Sequence, residues 1–317
     1  MPITDKKISA VVTCYNDAPA IPIMLDRLHE TLGKVTSDYE IIYVVDGSPD
    51  NSEEVLREFA KNDPRLTVIL HSRNFSSQNA FTSGMMQAVG DAVVLLDGDL
   101  QDPPELIVAF AKKWLEGYDV VYGVRTKREA KKFLQVAYKL FYRAMRKLSY
   151  VRVPLDAGDF SLMDRKVVDA INALPEADRF LRGLRAWVGF RQTGVEYLRP
   201  ERMFGQTTNS LIKNIRWAKK GIFSFTYAPL EWISYLTAVV ILFSLVALLI
   251  YLVGYFFFPR GPRGIQTIIV LVLFLGSIQV FCLTIIGEYV GRIFEETKRR
   301  SKFIVKEIIN DHRKTGV

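Results

Sequence analysis

Histidine and cysteine are scarce in this sequence, with three histidines (His29, His71, His312) and two cysteines (Cys14, Cys282) in 317 residues. The histidines form no ligand cluster, and Cys14 falls in a β-rich run while Cys282 falls in a long apolar one. That scatter excludes a Cys/His zinc site and a disulfide framework. The opening segment lacks a long apolar stretch with a cleavage site, because Met1 to Lys7 leads into a short β-like run, so no signal peptide is expected. Charge is absent from two other segments, Ile233 to Phe258 and Ile265 to Gly287. A helix needs about 20 apolar residues to cross the hydrocarbon core of a bilayer, and each run is long enough. Two such runs, separated only by Pro259-Arg260-Gly261-Pro262-Arg263-Gly264, argue against a buried core helix.

Lys213, Arg216, Lys219 and Lys220 precede the first run. Arg292, Lys298, Arg299, Arg300 and Lys302 follow the second, and cationic flanks tend to stay in the cytoplasm. Both ends of the hairpin are therefore expected inside, although Arg260 and Arg263 oppose this. The net charge of +8 clusters near the spans, so anionic headgroups, not nucleic acid, are the expected partner. This predicts a cytoplasmic domain over 1–226, two transmembrane helices within 227–290 (about 233–258 and 265–287), and a basic cytoplasmic tail over 291–317.

Before the spans, apolar and charged stretches alternate. Ile8 to Thr13, Ile41 to Val45, Leu66 to Leu70 and Ala92 to Leu96 read as strands. Helices are expected between them, one with Ile21, Met24, Leu25 and Leu28 on one face, one from Ser52, and one around Phe81 to Val89. This β-α-β-α-β alternation predicts a mostly parallel sheet with helices on both faces, whose ligands sit beyond the carboxyl ends of the strands. Over 131–150 an apolar stripe through Phe133, Leu140 and Leu148 faces Lys132, Arg143 and Lys147. That pattern suits a helix in a bilayer interface, or one packed on the sheet.

The sharpest local feature is Leu95-Leu96-Asp97-Gly98-Asp99-Leu100-Gln101-Asp102-Pro103-Pro104-Glu105. A buried strand runs into two carboxylates separated by glycine, and at a strand's end Asp97 and Asp99 can converge on one hard cation together with substrate phosphates. An acidic turn before a helix gives the same pattern, and Asp102 before Pro103 reads as an N-cap. Asp46 ends the second predicted strand and suits hydrogen bonding to a nucleotide base or ribose, or a plain turn before Gly47. Thr13 to Asn16, including Tyr15, would form the matching wall of the pocket.

With these pieces in order along nearly the whole chain, the sequence resembles family 2 glycosyltransferases of the polyprenyl-phosphate branch, the dolichyl-phosphate mannose synthase and bactoprenol glucosyl transferase type. The resemblance is carried by Val11-Val-Thr-Cys-Tyr-Asn16, Val44-Val-Asp-Gly-Ser-Pro-Asp50, Ser72-Arg-Asn-Phe75, Leu96 to Glu105, Gly158-Asp159-Phe160, Arg199-Pro-Glu-Arg202 and Gly287-Glu-Tyr-Val-Gly-Arg292. It implies a GT-A type nucleotide-sugar-binding domain followed by a two-helix transmembrane hairpin, a polyprenyl phosphate acceptor, and a homo-oligomer. Asp46 would recognise the nucleotide, Asp97 and Asp99 would carry Mg²⁺ or Mn²⁺ and the diphosphate with Gln101 beside them, and Asp159, or Asp156 nearby, would be the catalytic acid. Arg125 and Arg202 would bind phosphate, which suits their planar forked donors. Three positions depart from the usual pattern: Ser76-Ser77 replaces a Gly-Lys pair, Ser161 replaces an Arg, and Gly205-Gln206-Thr207-Thr208 lacks a usual Lys. Altered specificity is the preferred explanation because the metal-site acids remain. A non-catalytic sugar-nucleotide sensor or scaffold is the alternative. A processive polysaccharide synthase fits less well, since Lys213 replaces the Gln of its Gln-x-x-Arg-Trp signature.

Overall fold

The computed structural model describes residues 2–126, 154, 157–200, 203–204, 226, 228–257 and 264–311. The expected helix over 131–150, the basic stretch 213–220, the departure at 205–208, and the candidates Asp156 and Arg202 lie outside the described residues. The described chain forms two compact units, one built from residues up to 204 and from 300 onward, the other from those between 226 and 299.

In the first unit β1 (Ile8–Cys14), β2 (Tyr39–Val45), β3 (Leu66–His71) and β4 (Ala92–Asp97) are parallel to their neighbours. Every residue in them is buried except Asp97, as expected of strands covered on both faces. One face carries α1 (Ile21–Val35), α2 (Ser52–Asn62) and α4 (Ile107–Leu115), which bury Met24, Leu25, Leu28, Leu56, Phe110 and Trp114 against Ala10, Val12 and Val94. On the other lies α3 (Ser77–Gln87), where Gly84 lets the helix approach Val11. Two antiparallel pairings extend the sheet through β6 (Ala157–Asp164) and β5 (Val120–Arg125). After α5 (Arg165–Ala173) and α6 (Leu181–Trp187), β7 (Gln192–Tyr197) pairs parallel to β5. With β8 (Val305–Ile309) added, the eight strands of the described sheet run β7-β5-β6-β4-β1-β2-β3-β8.

The last of these corrects an expectation. Within the stretch read as a basic tail, Val305–Ile309 is β8, paired antiparallel to β3. Thr67 donates to the carbonyl of Asn310 at 2.9 Å, and the Asn310 amide donates to the carbonyls of Ala60 and Leu66 at 2.7 and 3.0 Å.

Ser76, at the entrance to α3, has φ 81° and ψ 153°, a region that is essentially glycine's own and costs other residues about 1–3 kcal/mol. The backbone thus keeps a shape suited to the glycine usual in the resembling family. Ser76→Gly is expected to raise the melting temperature by about 2–4 °C in a thermal melt, since roughly 1 kcal/mol should survive the entropy glycine adds to the unfolded chain.

The second unit contains α7 (Ala228–Phe257) and α8 (Ile265–Thr297). Both are long and apolar enough to cross a membrane, with mean hydropathy 2.0 over Ala228–Ala247 and over Leu271–Thr297. Large apolar side chains such as Leu242, Phe243, Leu273 and Phe281 are exposed along them. The second helix continues past the uncharged run, through Glu288 and Arg292, which pair at 3.8 Å.

Candidate active site

The sheet reverses its order of growth between β1 and β4, because the chain builds β2 and β3 on one side of β1 and then crosses to the other. A crevice opens beyond the carboxyl ends of strands at such a point, and ligands bind there. Thr13 and Asp97 are register partners at this position, and the Thr13 hydroxyl donates to the Asp97 carboxylate at 3.3 Å. Gly98 follows, its N–H bonded to the Thr13 carbonyl at 2.9 Å. A Cβ at Gly98 would lie 2.8 Å from that carbonyl oxygen, so glycine here permits the two strand ends to close and leaves Asp97 and Asp99 on either side of the turn.

Three acids gather at this turn. Asp99 and Asp102 are both buried, and burial, followed by the charges of Asp102, Asp99 and Asp159, pushes Asp97 up to about 7 against the opposing pull of Arg199. The reading of Asp102 as an N-cap is overturned: a short 3-10 turn over Pro104–Leu106 follows Pro103 with no side-chain cap. Asp102 instead accepts from the Tyr197 hydroxyl at 2.7 Å, with Arg125 at 3.9 Å and Arg199 at 4.0 Å. Arg199 also lies 3.9 Å from Asp99. Gln101 donates from its backbone to Asp99 at 3.1 Å and from its side chain to the Pro200 carbonyl at 3.2 Å. No three His, Cys, Asp or Glu among the described residues form a metal cage. The donor set nevertheless fits a hard cation of the Mg²⁺ type, which takes one or two carboxylates and completes its shell with substrate phosphates and water. The mutual repulsion of these acids is what a cation would relieve.

Across the crevice, β6 presents Asp159. Its carboxylate accepts from Arg182 of α6 at 3.2 Å and from Gln78 of α3 at 3.0 Å. Burial alone would raise its pKa, but the Arg182 charge and hydrogen bond, the Arg185 charge and the Gln78 bond together hold it below the usual carboxylate range. Gln78, itself buried, also accepts the backbone N–H of Leu181 at 2.7 Å, tying α3 to the start of α6. Ser161, where the resembling family has an Arg, is fully buried and donates to the Asp159 carbonyl at 2.8 Å. Positive charge reaches Asp159 from α6 instead.

On the opposite flank of β1, Asp46 follows β2. Adjacent strands lie about 4.8 Å apart, so Asp46 and Asp97 bracket the end of β1 at roughly 10 Å. Asp46 is buried and accepts from His71 at 2.9 Å and from the Phe75 N–H at 2.8 Å, so it is more than a turn residue. Asn16, at φ 65°, donates its N–H to Ser48 at 2.8 Å, which clamps the loop after β1 to the loop after β2. Tyr15 on that loop is 42% exposed.

The fold therefore gathers Thr13, Asp97, Asp99, Gln101, Arg125 and Asp159 along the crevice, with Asp46, Tyr15 and Asn16 on its other side. It adds Gln78, Arg182, Tyr197 and Arg199, none of which carried a sequence signal of its own role except Arg199, through its place in Arg199-Pro-Glu-Arg202.

Residues 9–171 match the family model for glycosyl transferase family 2. The uncharacterized glycosyltransferase YkcC of Bacillus subtilis is 43% identical over 303 residues, covering 94% of this chain and 93% of that one. This chain belongs to glycosyl transferase family 2. The bactoprenol glucosyl transferase of Shigella phage SfV is 35% identical over 301 residues, 95% of this chain and 98% of that one. Among solved structures, the mannosyltransferase PcManGT from Pyrobaculum calidifontis, in complex with GDP-Man and Mn²⁺, is 19% identical over 91% of this chain and 88% of that one, with a TM-score of 0.47. In this family 2 glycosyltransferase the matched span contains Asp46, Asp97, Asp99 and Asp159. Arg182, Tyr197 and Arg199, which partner those acids or their neighbour Asp102, lie beyond it.

Proposed function

We propose that this glycosyltransferase moves a hexose from a UDP-hexose onto polyprenyl (undecaprenyl) phosphate at the cytoplasmic face of a membrane, by a single inverting displacement. The observation that carries this reading is the acid turn of Asp97 and Asp99 at the switch point, faced by Asp159 and flanked by Asp46. The 35% identity with a bactoprenol glucosyl transferase over nearly the whole chain supports the acceptor class. The hairpin of α7 and α8 supports the membrane setting: exposed apolar faces of this size on a monomer mark a site that another apolar phase covers. The chain leaves the sheet-bearing unit for these helices and returns to that unit as β8, which supports placing both ends on one side of the membrane. The enzyme is taken as a homo-oligomer, as its resemblance implies.

In the reaction a phosphate oxygen of the acceptor bonds to the anomeric carbon as the bond from that carbon to the nucleotide diphosphate breaks. Asp46 would receive the nucleotide, and Asp97 and Asp99 would hold Mg²⁺ or Mn²⁺ against the diphosphate. A divalent cation bound there would offset the charge developing on the departing diphosphate. The acceptor is already an anion, so it needs orientation and screening more than deprotonation. Asp159, held ionised by Arg182, suits orientation, and Arg125 and Arg202 would bind the phosphate.

A panel of labelled nucleotide-sugars, incubated with short polyprenyl phosphate in detergent with Mg²⁺ or Mn²⁺, tests the reading. One donor is expected to give a labelled lipid that disappears with chelator and with Asp99→Asn. Nucleotide binding without product from any donor would overturn it in favour of a sensor or scaffold.

A further inference from the structure

We propose that the nucleotide site is completed by the segment that returns from the hairpin: Phe303 pins His71, and His71 positions Asp46. The inference rests on Asp46 being the nucleotide-recognising carboxylate.

The chain of contacts is short. Asp46 has 4% of its side chain exposed and His71 none. One carboxylate oxygen, Oδ1, receives both His71 Nδ1 and the Phe75 N–H. An ionised carboxylate only accepts, so Nδ1 is the donor. This fixes the rotation of Asp46 and leaves its second oxygen to face a ligand. The imidazole itself is held by two rings. Phe75 meets it edge-on at 5.7 Å and 86°, and Phe303 lies flat against it at 5.3 Å and 9°. His71 Nε2 is buried and has no hydrogen-bond partner. Leaving a ring nitrogen unsatisfied costs stability, so packing alone would be better served by an apolar side chain. The bond to Asp46 is what a histidine adds.

Phe303 belongs to the return segment, locked in place where Ser72 N–H donates to the Ile304 carbonyl at 3.0 Å and β8 pairs with β3. The turn bearing Asp46 has little freedom to adapt. Gly47 sits at φ 58°, and a Cβ there would come within 2.3 Å of the Arg73 backbone, so this turn and the 72–75 loop are packed backbone to backbone. A shift of the loop is therefore passed directly to Asp46. His71 and Phe303 are positioning residues under this reading, and neither needs to touch the nucleotide.

The test uses the full chain in detergent, with UDP binding measured by calorimetry in the presence of Mn²⁺, GDP alongside, and donor kinetics in parallel. His71→Leu and Phe303→Ala are expected to weaken UDP binding by about tenfold, the scale of a hydrogen bond to a charged group. They should raise the donor KM to match while kcat stays within about twofold, the signature of lost ground-state binding. His71→Asn, whose amide can donate to Asp46, is expected to recover most of the affinity, which a packing role would not. Phe303→Leu keeps the apolar bulk and serves if the Ala variant is poorly folded; it is expected to show a smaller loss in the same direction. Wild-type affinity in His71→Leu and Phe303→Leu, with Asp46→Asn weakened, would overturn the positioning role alone. Wild-type affinity in Asp46→Asn would overturn the nucleotide assignment on which it rests.

Discussion

Asp97→Asn is expected to lower kcat/KM by about 10²–10³-fold, the scale of removing one preorganised electrostatic contact to a developing charge, and at the same time to raise the melting temperature of the chelator-treated protein. The two effects have one cause. Asp97 is held at the end of β4 by the strand ladder and the Thr13 bond, in surroundings where burial and three neighbouring acids disfavour its charge. Without a cation that repulsion destabilises the folded state, and the neutral amide removes it while keeping the shape. Adding Mn²⁺ should raise the melting temperature of the wild type and leave Asp97→Asn nearly unmoved. A variant that loses activity and also melts lower without metal would show that Asp97 is a structural acid held by its partners.

Asp159→Asn should behave in the opposite sense in the fold. Turnover is expected to fall by about 10²-fold, the lower end of what a positioned acid or base supplies, with UDP binding nearly unchanged. Here, however, the apo protein should lose stability, by about 2–3 kcal/mol at neutral pH, because Arg182 is left beside a neutral partner in a mostly buried site. The sign follows from the pKa: Asp159 lies lower in the folded chain than its ordinary 3.8. Its ionised form therefore stabilises the fold above that value, and the contribution fades as pH falls below it. Urea titration at pH 7 and near pH 3 would show the full wild-type advantage at the first and a reduced one at the second, because the contribution is lost only as pH falls through the depressed folded value. Two aspartates facing one crevice are thus expected to shift stability in opposite directions when each is neutralised.

Part of this site was legible in the sequence because its signals are local. Strands β1 to β4 are β-rich, mostly apolar runs closed by turn residues, and Asp46 and the Asp97-Gly98-Asp99 turn fall at their ends, so strand order alone brings the acids to one edge. The two long apolar helices were legible from length and missing charge. What stayed hidden depends on residues far apart in sequence. Gln78 and Arg182 meet Asp159 from 81 and 23 positions away, and neither lies in a motif that marks it. Asp102 was misread because a local rule, an acid before Pro-Pro, competes with a buried hydroxyl at Tyr197 that only the sheet brings near. His71 was set aside because it has no second ligand in the sequence, and its partner is a carboxylate read as nucleotide-facing. The tail was misread because Val305 to Ile309, five residues between Lys-rich and polar stretches, carries too little pattern to name a strand, and its pairing partner is more than 200 positions upstream.

That distance sets the order in which the protein can be made. Thr67 and Asn310 are 243 positions apart, and between them the ribosome must produce both apolar helices. While those helices are being synthesised, β3 is an open edge, its backbone groups available to any extended strand nearby. The sheet closes only when residues 305–309 emerge, after the hairpin has been synthesised. A nascent chain stalled or clipped before that point would keep an unprotected β-edge, so aggregation is the expected consequence of failing at this last step.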